Sequence, residues 1–236
     1  IPARLKSRRL PNKPLLKFNG IPMIILTAMN CAKVINKNKI IITTDSKVIK
    51  KLSESYGFKC ILTSSKCLTG TDRVAEVAKK IKKDLYINLQ GDEPLFGTND
   101  ILKFVRFSLK NKHLITNAFC KIKKHSQYNS NNVPKVVFDQ NKNLMYMSRS
   151  KVPGNKKGKF IKAFRQVCIY SFPRNKLLKF SKLKEKTFFE NIEDIEILRF
   201  IETGEKVKMI ELSDVSISVD TPKDYRDAIK IYKNKK

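Results

Sequence analysis

The alternation of short apolar strands with amphipathic helices constrains the fold of this chain more than any other feature of its sequence. Residues 40–43 form a β-branched run, and Ser46 can cap a helix that runs to about residue 56. A helix over residues 71–82 has its apolar side chains at helical spacing. The pattern continues with strands at 59–62, 85–89, 115–122, 135–139, 144–148, 166–172 and 217–219, and with helices at 99–109, 192–202 and from 222 onward. It predicts an α/β domain with a mostly parallel sheet and helices on both faces.

The length of 236 residues fits one domain over residues 1–236. Residues 150–163 are rich in Lys and Gly without periodicity and are interpreted as an exposed loop or arm, and the tail at 230–236 is expected to fray. A parallel α/β domain normally feeds its first loop from a central strand, so we expect further residues ahead of Ile1. Because no run of about 18 apolar residues and no signal peptide is present, we predict a cytoplasmic protein without membrane insertion.

The formal net charge of +29 raises the alternative that the chain binds nucleic acid. The 40 lysines and 10 arginines are spread over nearly every segment. A nucleic-acid reader more often concentrates arginine and aromatic residues on one element. Solvated lysines therefore explain the charge better, and we predict no nucleic-acid partner, although the charge should attract anionic substrates.

The five cysteines and two histidines lack the spacing of a metal or redox site. The chain has no CxxC, and Cys31, Cys120 and Cys168 sit among apolar neighbours, so we interpret the cysteines as reduced core residues. His113 and His125 lie among lysines and polar residues, away from any cysteine or carboxylate at ligand spacing. A zinc site is therefore not expected.

The first 15 residues crowd arginines, lysines and a serine into a loop that has prolines but no glycine. The loop is neither a Walker loop nor a dinucleotide fingerprint, since both need glycine for backbone approach to phosphate. Its side chains could still hold a triphosphate through charge-assisted hydrogen bonds. A basic surface loop is the alternative.

Two aspartates stand at the ends of predicted strands. Asp92 lies in Gln90-Gly91-Asp92-Glu93-Pro94, and Asp220 lies in Ser218-Val219-Asp220-Thr221-Pro222. Ligands of open α/β sheets bind beyond the carboxyl ends of strands, where such carboxylates could share one Mg²⁺. If they do, their oxygens should approach within about 6 Å of each other. The alternative is a pair of ordinary turns, because Gly, Asp and Pro all favour turns.

The motifs together resemble those of the CMP-Kdo synthetases (3-deoxy-manno-octulosonate cytidylyltransferases), which join CTP to the sugar acid Kdo and release pyrophosphate for lipopolysaccharide biosynthesis. The matching segments keep the family's order along the whole chain; they are the opening loop, Thr69-Gly70-Thr71-Asp72-Arg73, Gln90 to Pro94, Lys135-Val136-Val137, Ser148-Arg149 and Val219-Asp220-Thr221-Pro222. The resemblance implies a three-layer α/β/α nucleotidyltransferase fold with a mixed, mostly parallel sheet. It also implies a homodimer with a dimerisation arm around 135–172.

The resemblance further implies roles for individual residues. Arg4 and Lys13 would bind the CTP phosphates, and Asp92 and Asp220 would hold Mg²⁺; these four would be catalytic. The residues implied around the nucleotide are Ala3, Arg4, Ser7, Lys13, Asp45, Arg73 and Gln90. The residues implied around the sugar are Gln90, Arg149, Gln166, Tyr170, Glu190 and Glu193.

Two motifs depart from the family pattern on the sugar side, where Gln166 and Ile197 replace a His and a Gln that belong to the sugar pocket. The family's His-x-Gly-Ile-Tyr is here Gln166-Val167-Cys168-Ile169-Tyr170, and its Glu-Gln-Leu-Arg is Glu196-Ile197-Leu198-Arg199. The acceptor is therefore open between Kdo and a related acid such as 8-amino-Kdo. A sialic-acid-like acceptor is disfavoured, because Leu5-Lys6-Ser7 replaces the Gly-Ser-Lys stretch usual in those relatives.

Overall fold

The structure, a computed structural model, describes residues 1–7, 9–213 and 218–234. The helices are α1 Met23–Ala32, α2 Lys47–Ser55, α3 Gly70–Lys80, α4 Thr98–Lys110, α5 His125–Asn129, α6 Arg174–Phe180, α7 Phe188–Glu193, α8 Leu198–Glu202 and α9 Pro222–Asn234. The strands are β1 Lys17–Phe18, β2 Ile21–Pro22, β3 Ile41–Thr44, β4 Lys59–Leu62, β5 Leu85–Leu89, β6 Ile115–Lys121, β7 Lys135–Phe138, β8 Leu144–Ser148, β9 Phe164–Pro173 and β10 Val207–Glu211.

Strand β9 is the central strand of the main sheet. It pairs antiparallel with β5, β6 and β7, while β10 lies parallel to β6 and β8 antiparallel to β7. Strands β5, β6 and β10 therefore run in one direction against β9. Strands β3 and β4 form a separate parallel pair. The predicted α/β fold with a mixed sheet is confirmed.

The segment 1–3 joins the two sets of strands. The Ala3 amide donates to the Thr43 carbonyl at 2.9 Å, and the Gly91 amide, just after β5, donates to the Pro2 carbonyl at 3.3 Å. The basic loop and the turn that carries Asp92 are thereby held side by side at one edge of the sheet.

Local sequence accounts for the helix starts that matter most. Ser46 caps α2 by accepting from the Ile49 amide, as predicted. Thr69 and Asp72 form a reciprocal capping box at the start of α3, and Val74, Ala75 and Ala78 bury its apolar face. The capping box fixes the Thr-Gly-Thr-Asp-Arg motif as a helix N-terminus.

Three sequence predictions differ from the structure. The helix predicted over 192–202 is two short helices, because Asp194 adopts a left-handed conformation with φ of 50° and ends α7. The tail expected to fray is helical to Asn234, since Tyr225 and Tyr232 pack edge-on against Phe18. Residue 217 of the strand predicted at 217–219 lies outside the described residues, and 218 and 219 are not in a strand.

The lysine-rich loop at 150–163 is anchored to its own chain. The Tyr128 hydroxyl donates to the Pro153 carbonyl at 3.0 Å, and the ring of Phe160 packs 4.9 Å from that of Tyr128.

Among the described residues, no helix is long and apolar enough to cross a membrane. All five cysteines are free; three are buried, and Cys67 and Cys168 are half-buried in the wall of a large cavity.

Candidate active site

A cavity of about 1690 Å³ opens at the edge of the sheet where the basic loop, the start of α3 and the turn after β5 meet. Strand β9, helix α5 with the loop after it, the loop before α8 and the start of α9 complete its wall. Most of the predicted site residues line it: Ala3, Arg4, Ser7, Lys13, Arg73, Gln90, Asp92, Arg149, Gln166, Tyr170 and Asp220. Asp45, Glu190 and Glu193 do not.

Asp92 and Asp220 meet at the side chain of Lys13. The Lys13 Nζ donates to Asp92 Oδ2 at 2.6 Å and to Asp220 Oδ1 at 3.0 Å. Two oxygens at these distances from one nitrogen lie within about 6 Å of each other, as expected for two ligands of one ion. The Val219 amide also donates to the Asp92 carbonyl at 3.0 Å and holds the two loops together.

The opposite charges in this cluster attract one another. Burial alone would lower the pKa of the Lys13 ammonium, but the attraction of Asp92 and Asp220 outweighs it and raises that pKa above its usual value. Burial would likewise raise the pKa of the Asp220 carboxyl, yet Lys13 and Arg9 hold it below its usual range. The cluster is therefore a fixed arrangement of one lysine and two carboxylates near neutral pH.

The donor set of the cluster suits magnesium better than zinc. Mg²⁺ is commonly held by one or two carboxylates together with substrate phosphates and water, which is what Asp92 and Asp220 offer beside a basic loop. Among residues 1–7, 9–213 and 218–234, no group of three or more His, Cys, Asp or Glu side chains could hold a metal ion. The protein ligands proposed for Mg²⁺ are therefore limited to Asp92 and Asp220.

Two arginines complete the basic side of the cavity. Arg4 is exposed on its wall, and Arg9, which sequence reasoning did not single out, donates to Asp220 Oδ1 at 3.0 Å. Arg73 is almost fully buried and donates to Asp45, to the Thr63 hydroxyl and to the Ser64 carbonyl. Arg73 thus ties α3 to the loops after β3 and β4, and Asp45 lies behind it, outside the cavity wall.

Gln90 is positioned by Glu196, a residue that sequence reasoning did not assign to the site. The Gln90 Nε2 donates to Glu196 Oε1 at 2.7 Å, and the Thr71 amide donates to Glu196 Oε2 at 2.9 Å. Burial raises the pKa of the Glu196 carboxyl against the lowering effect of the Thr71 hydrogen bond. The signal available in the sequence was its place in the Glu-Ile-Leu-Arg motif.

Gln166 and Tyr170 belong to a buried polar cluster on β9. The Gln166 Nε2 donates to Asn117 Oδ1 at 3.2 Å and to the Tyr170 hydroxyl at 3.1 Å. Asn117 Nδ2 donates to the carbonyls of Val167 and Ile169, at a register shift between β6 and β9. Gln166, Cys168 and Tyr170 alternate along β9, so they lie on one face of the strand, and all three line the cavity.

Ile197, the second departure from the family pattern, is fully buried in an apolar cluster and does not line the cavity. Of Gln166 and Ile197, Gln166 is therefore the one in position to contact an acceptor.

Glu190 and Glu193 were expected to contact a sugar, but neither lines the cavity, and both are paired within the protein. Glu193 accepts from the Ser148 hydroxyl at 2.6 Å and from the Arg149 amide at 2.8 Å, behind the wall. Glu190 is fully buried and pairs with Arg199, whose Nε lies 2.6 Å from Glu190 Oε2. Both carboxylates support the acceptor side from behind.

Arg199 is the largest fully buried charged side chain at the site. It also donates to Asp72 at 2.9 Å and lies 3.9 Å from the centroid of the Phe180 ring. Asp72 caps α3, and Glu196, which lines the cavity, lies one turn ahead of Arg199. The Glu190–Arg199–Asp72 network therefore joins the α3 side of the cavity to the α8 side.

Comparison with known proteins identifies the family. The cytidylyltransferase family model matches residues 1–207. The chain belongs to the cytidylyltransferase family.

Curated relatives agree with the motif resemblance to CMP-Kdo synthetases, which is confirmed. The chain is 36% identical to the 3-deoxy-manno-octulosonate cytidylyltransferase of a Nitratiruptor species, with 96% of this chain and 95% of that protein covered. It is 34% identical to the 8-amino-3,8-dideoxy-manno-octulosonate cytidylyltransferase of Shewanella halifaxensis, with 96% and 94% covered. This cytidylyltransferase is therefore a nucleotidyltransferase enzyme. Its relatives include an enzyme named for Kdo and an enzyme named for 8-amino-Kdo.

Solved structures agree with the cytidylyltransferase fold. A CMP:2-keto-3-deoxy-manno-octonic acid synthetase complexed with CTP superposes with a TM-score of 0.90 at 29% identity, with 100% of this chain and 97% of that chain covered. HddC from Yersinia pseudotuberculosis gives a TM-score of 0.73 at 14% identity, with 98% and 97% covered, and shares the fold alone.

Proposed function

We propose that this cytidylyltransferase joins CTP to a Kdo-type sugar acid, giving the CMP-sugar and pyrophosphate for lipopolysaccharide biosynthesis. The observation that supports this most directly is the meeting of Asp92, Asp220 and Lys13 beside the basic loop, opposite an acceptor wall of Gln90, Gln166, Arg149 and Tyr170. One face offers charge for a triphosphate, and the other offers amides, a guanidinium and a hydroxyl for a polyhydroxylated acid.

The proposed chemistry is displacement at the α-phosphorus of CTP. The anomeric hydroxyl of the sugar acid gives up its proton to solvent as its oxygen bonds the α-phosphorus, and the bond from the α-phosphorus to the bridging oxygen breaks, so that this oxygen leaves with the pyrophosphate. Arg4 and Lys13 bind the phosphates and stabilise the charge of the departing pyrophosphate. Mg²⁺, held by Asp92 and Asp220 when bound, supplies charge neutralisation at the triphosphate.

The decisive experiment measures pyrophosphate release with CTP and Mg²⁺ across a panel of 2-keto sugar acids. We expect release with Kdo or 8-amino-Kdo and much less with a sialic acid. No release with any member of the panel would refute the proposal, and release only with a sialic acid would reassign the acceptor.

Arg4→Ala should weaken the use of CTP much more than the use of the sugar. Arg4 is exposed on the cavity wall, and losing a charge-assisted phosphate contact costs about 1.5–3 kcal/mol, or roughly ten- to a hundredfold in kcat/KM for CTP. The matched control is Arg226→Ala, which removes an exposed arginine of α9 that does not line the cavity. A rise confined to the KM of the sugar would show that Arg4 lies on the acceptor side instead.

Gln166→His should shift the preference between Kdo and 8-amino-Kdo. An amide is always neutral, whereas an imidazole gains charge near pH 6.5 and then repels an ammonium group. We expect the kcat/KM ratio of 8-amino-Kdo to Kdo to fall about tenfold, which is within the range for one polar contact, and to fall further at pH 6 than at pH 8. Ile197→Gln serves as the control, since Ile197 is buried away from the cavity. An unchanged ratio in Gln166→His would remove Gln166 from acceptor choice.

We also propose that the enzyme is a cytoplasmic homodimer. Phe188, Phe189 and Ile192 expose an apolar face on α7, with 69%, 44% and 63% of their surfaces accessible. Tyr146, within the arm predicted around 135–172, packs edge-on against Phe189, so this face is continuous with the arm. A contiguous apolar face of this kind supports burial against a second copy. Light scattering of the purified protein measures the mass directly.

A further inference from the structure

We infer that Lys13 occupies, in the nucleotide-free enzyme, the place that a divalent cation takes at Asp92 and Asp220, so that the metal enters together with CTP. The inference rests on the proposed function and adds the order in which the metal and CTP bind. The metal replaces the ammonium group of Lys13 between the two aspartates and does not bind beside it.

The geometry gives Lys13 the central position. Its Nζ lies 2.6 Å from Asp92 and 3.0 Å from Asp220, and its side chain is 15% exposed, less than that of either aspartate. A cation that contacts the same two oxygens must use the space that the ammonium group fills. Lys13 and the metal therefore compete for one site.

Only the side chain of Lys13 needs to move. Its amide donates to the Leu10 carbonyl at 3.2 Å, and its own carbonyl accepts from the Leu16 amide at 3.2 Å. These bonds anchor the backbone in a short 3-10 turn, Lys13–Leu15. The long lysine side chain can leave the carboxylates for a nearby anion without disturbing the loop.

Electrostatics determines when the exchange is favourable. Without nucleotide, a metal must displace an ammonium that already pairs with both carboxylates, so its affinity is low. The triphosphate of CTP gives Lys13 a new anionic partner in the same cavity and removes that cost. CTP should then raise the affinity for the metal, and by linkage the metal should raise the affinity for CTP by the same factor.

Arg9 provides an internal comparison. It also contacts Asp220, at 3.0 Å, but its side chain is 53% exposed, and Asp92 contacts Lys13 rather than Arg9. Exposed ion pairs are screened by solvent and contribute little. Arg9 should therefore hinder the metal far less than Lys13.

The test is a titration with Mn²⁺ alone, without nucleotide or sugar, in which free Mn²⁺ is read by electron paramagnetic resonance. We expect Lys13→Met to bind Mn²⁺ at least about tenfold more tightly than the native chain, because the competing cation is gone. Arg9→Met should stay within about threefold of the native value. Lys13→Met combined with Asp92→Asn should lose the gain, which ties it to this pair of carboxylates.

A second readout covers the case in which Lys13→Met does not fold. Lys13→Gln, a shorter neutral replacement, should show the same gain, whereas Lys13→Arg keeps the cation and should show none. Folded neutral variants should also melt at a lower temperature in EDTA and recover with Mg²⁺ more than the native chain does.

Equal or weaker Mn²⁺ binding in both neutral variants would overturn the inference. This outcome is separate from failure of the proposed function, because the titration contains neither substrate. If the variants bind Mn²⁺ as expected but the native chain releases no pyrophosphate, the exchange of Lys13 for the metal stands and the proposed reaction is refuted. If the chain makes the CMP-sugar but the neutral variants show no gain in Mn²⁺ affinity, only the exchange is refuted.

Discussion

Asp92→Asn is expected to fold normally and to lose at least about 99% of the turnover of the native chain. The substitution removes one negative charge from the pair that Lys13 bridges at 2.6 and 3.0 Å, and with it the ligand proposed for Mg²⁺. Loss of metal-assisted charge stabilisation is worth several kcal/mol, and each 1.36 kcal/mol is a factor of ten in rate. Steady-state pyrophosphate release at saturating CTP and Kdo measures the effect, and circular dichroism checks the fold.

Asp227→Asn is the matched control for this prediction. Asp227 is an exposed carboxylate in the wall of the same cavity, so it carries the same change in charge and size without contact to the Lys13 cluster. Turnover near the native value is expected. If Asp92→Asn kept near-native turnover as well, Asp92 would have no part in holding the metal.

Arg199→Met is expected to lower the free energy of unfolding by about 3–5 kcal/mol, because it leaves the fully buried Glu190 and the partly buried Asp72 without their ion-pair partner. Arg199 and Glu190 are both fully buried and lie 2.6 Å apart, and Arg199 also holds the Asp72 cap of α3. Urea unfolding at neutral pH measures the loss. Because the network joins the two sides of the cavity, the remaining folded enzyme should show raised KM values for both substrates.

Two further variants distinguish the loss of the Arg199–Glu190 ion pair from a general packing defect. Arg199→Met combined with Glu190→Gln should be more stable than Arg199→Met alone, because the second change removes one of the unpaired charges. Arg226→Met, on the exposed face of α9, should change stability by no more than about 0.5 kcal/mol. A double variant less stable than the single one would show that Glu190 stabilises the fold independently of Arg199.

The sequence predicted most of the fold because its signals were local. Capping by Ser46 and the apolar spacing of α3 both depend on residues a few positions apart, and both are present in the structure. The break in the helix predicted at 192–202 was not predictable in this way. Asp194 is held by partners distant in sequence: its carbonyl accepts from Arg149 at 3.1 Å, and its carboxylate pairs with Lys186 at 2.5 Å.

The site was predictable to the level of motifs but not of partners. Asp92 lies after β5 as predicted, whereas residues 218 and 219 ahead of Asp220 are not in a strand. Nothing in the sequence indicated that Lys13 lies between the two aspartates. Glu190 was expected in the sugar pocket from the family resemblance, and nothing in the sequence indicated that its carboxylate is paired. Its pairing with Arg199, nine residues away, depends on the break at Asp194. Asn117 was identifiable only as a polar residue inside an apolar strand.

The position of β9 has a consequence for how the family diversifies its acceptors. One strand carries Gln166, Cys168 and Tyr170 into the cavity while its backbone pairs with β5, β6 and β7. The groups proposed to bind the triphosphate come instead from loops in other parts of the chain. Single substitutions along β9 can therefore alter the sugar that is accepted without touching the nucleotide machinery. Evolution toward a new acceptor then needs few mutations and leaves the activation chemistry intact at every step.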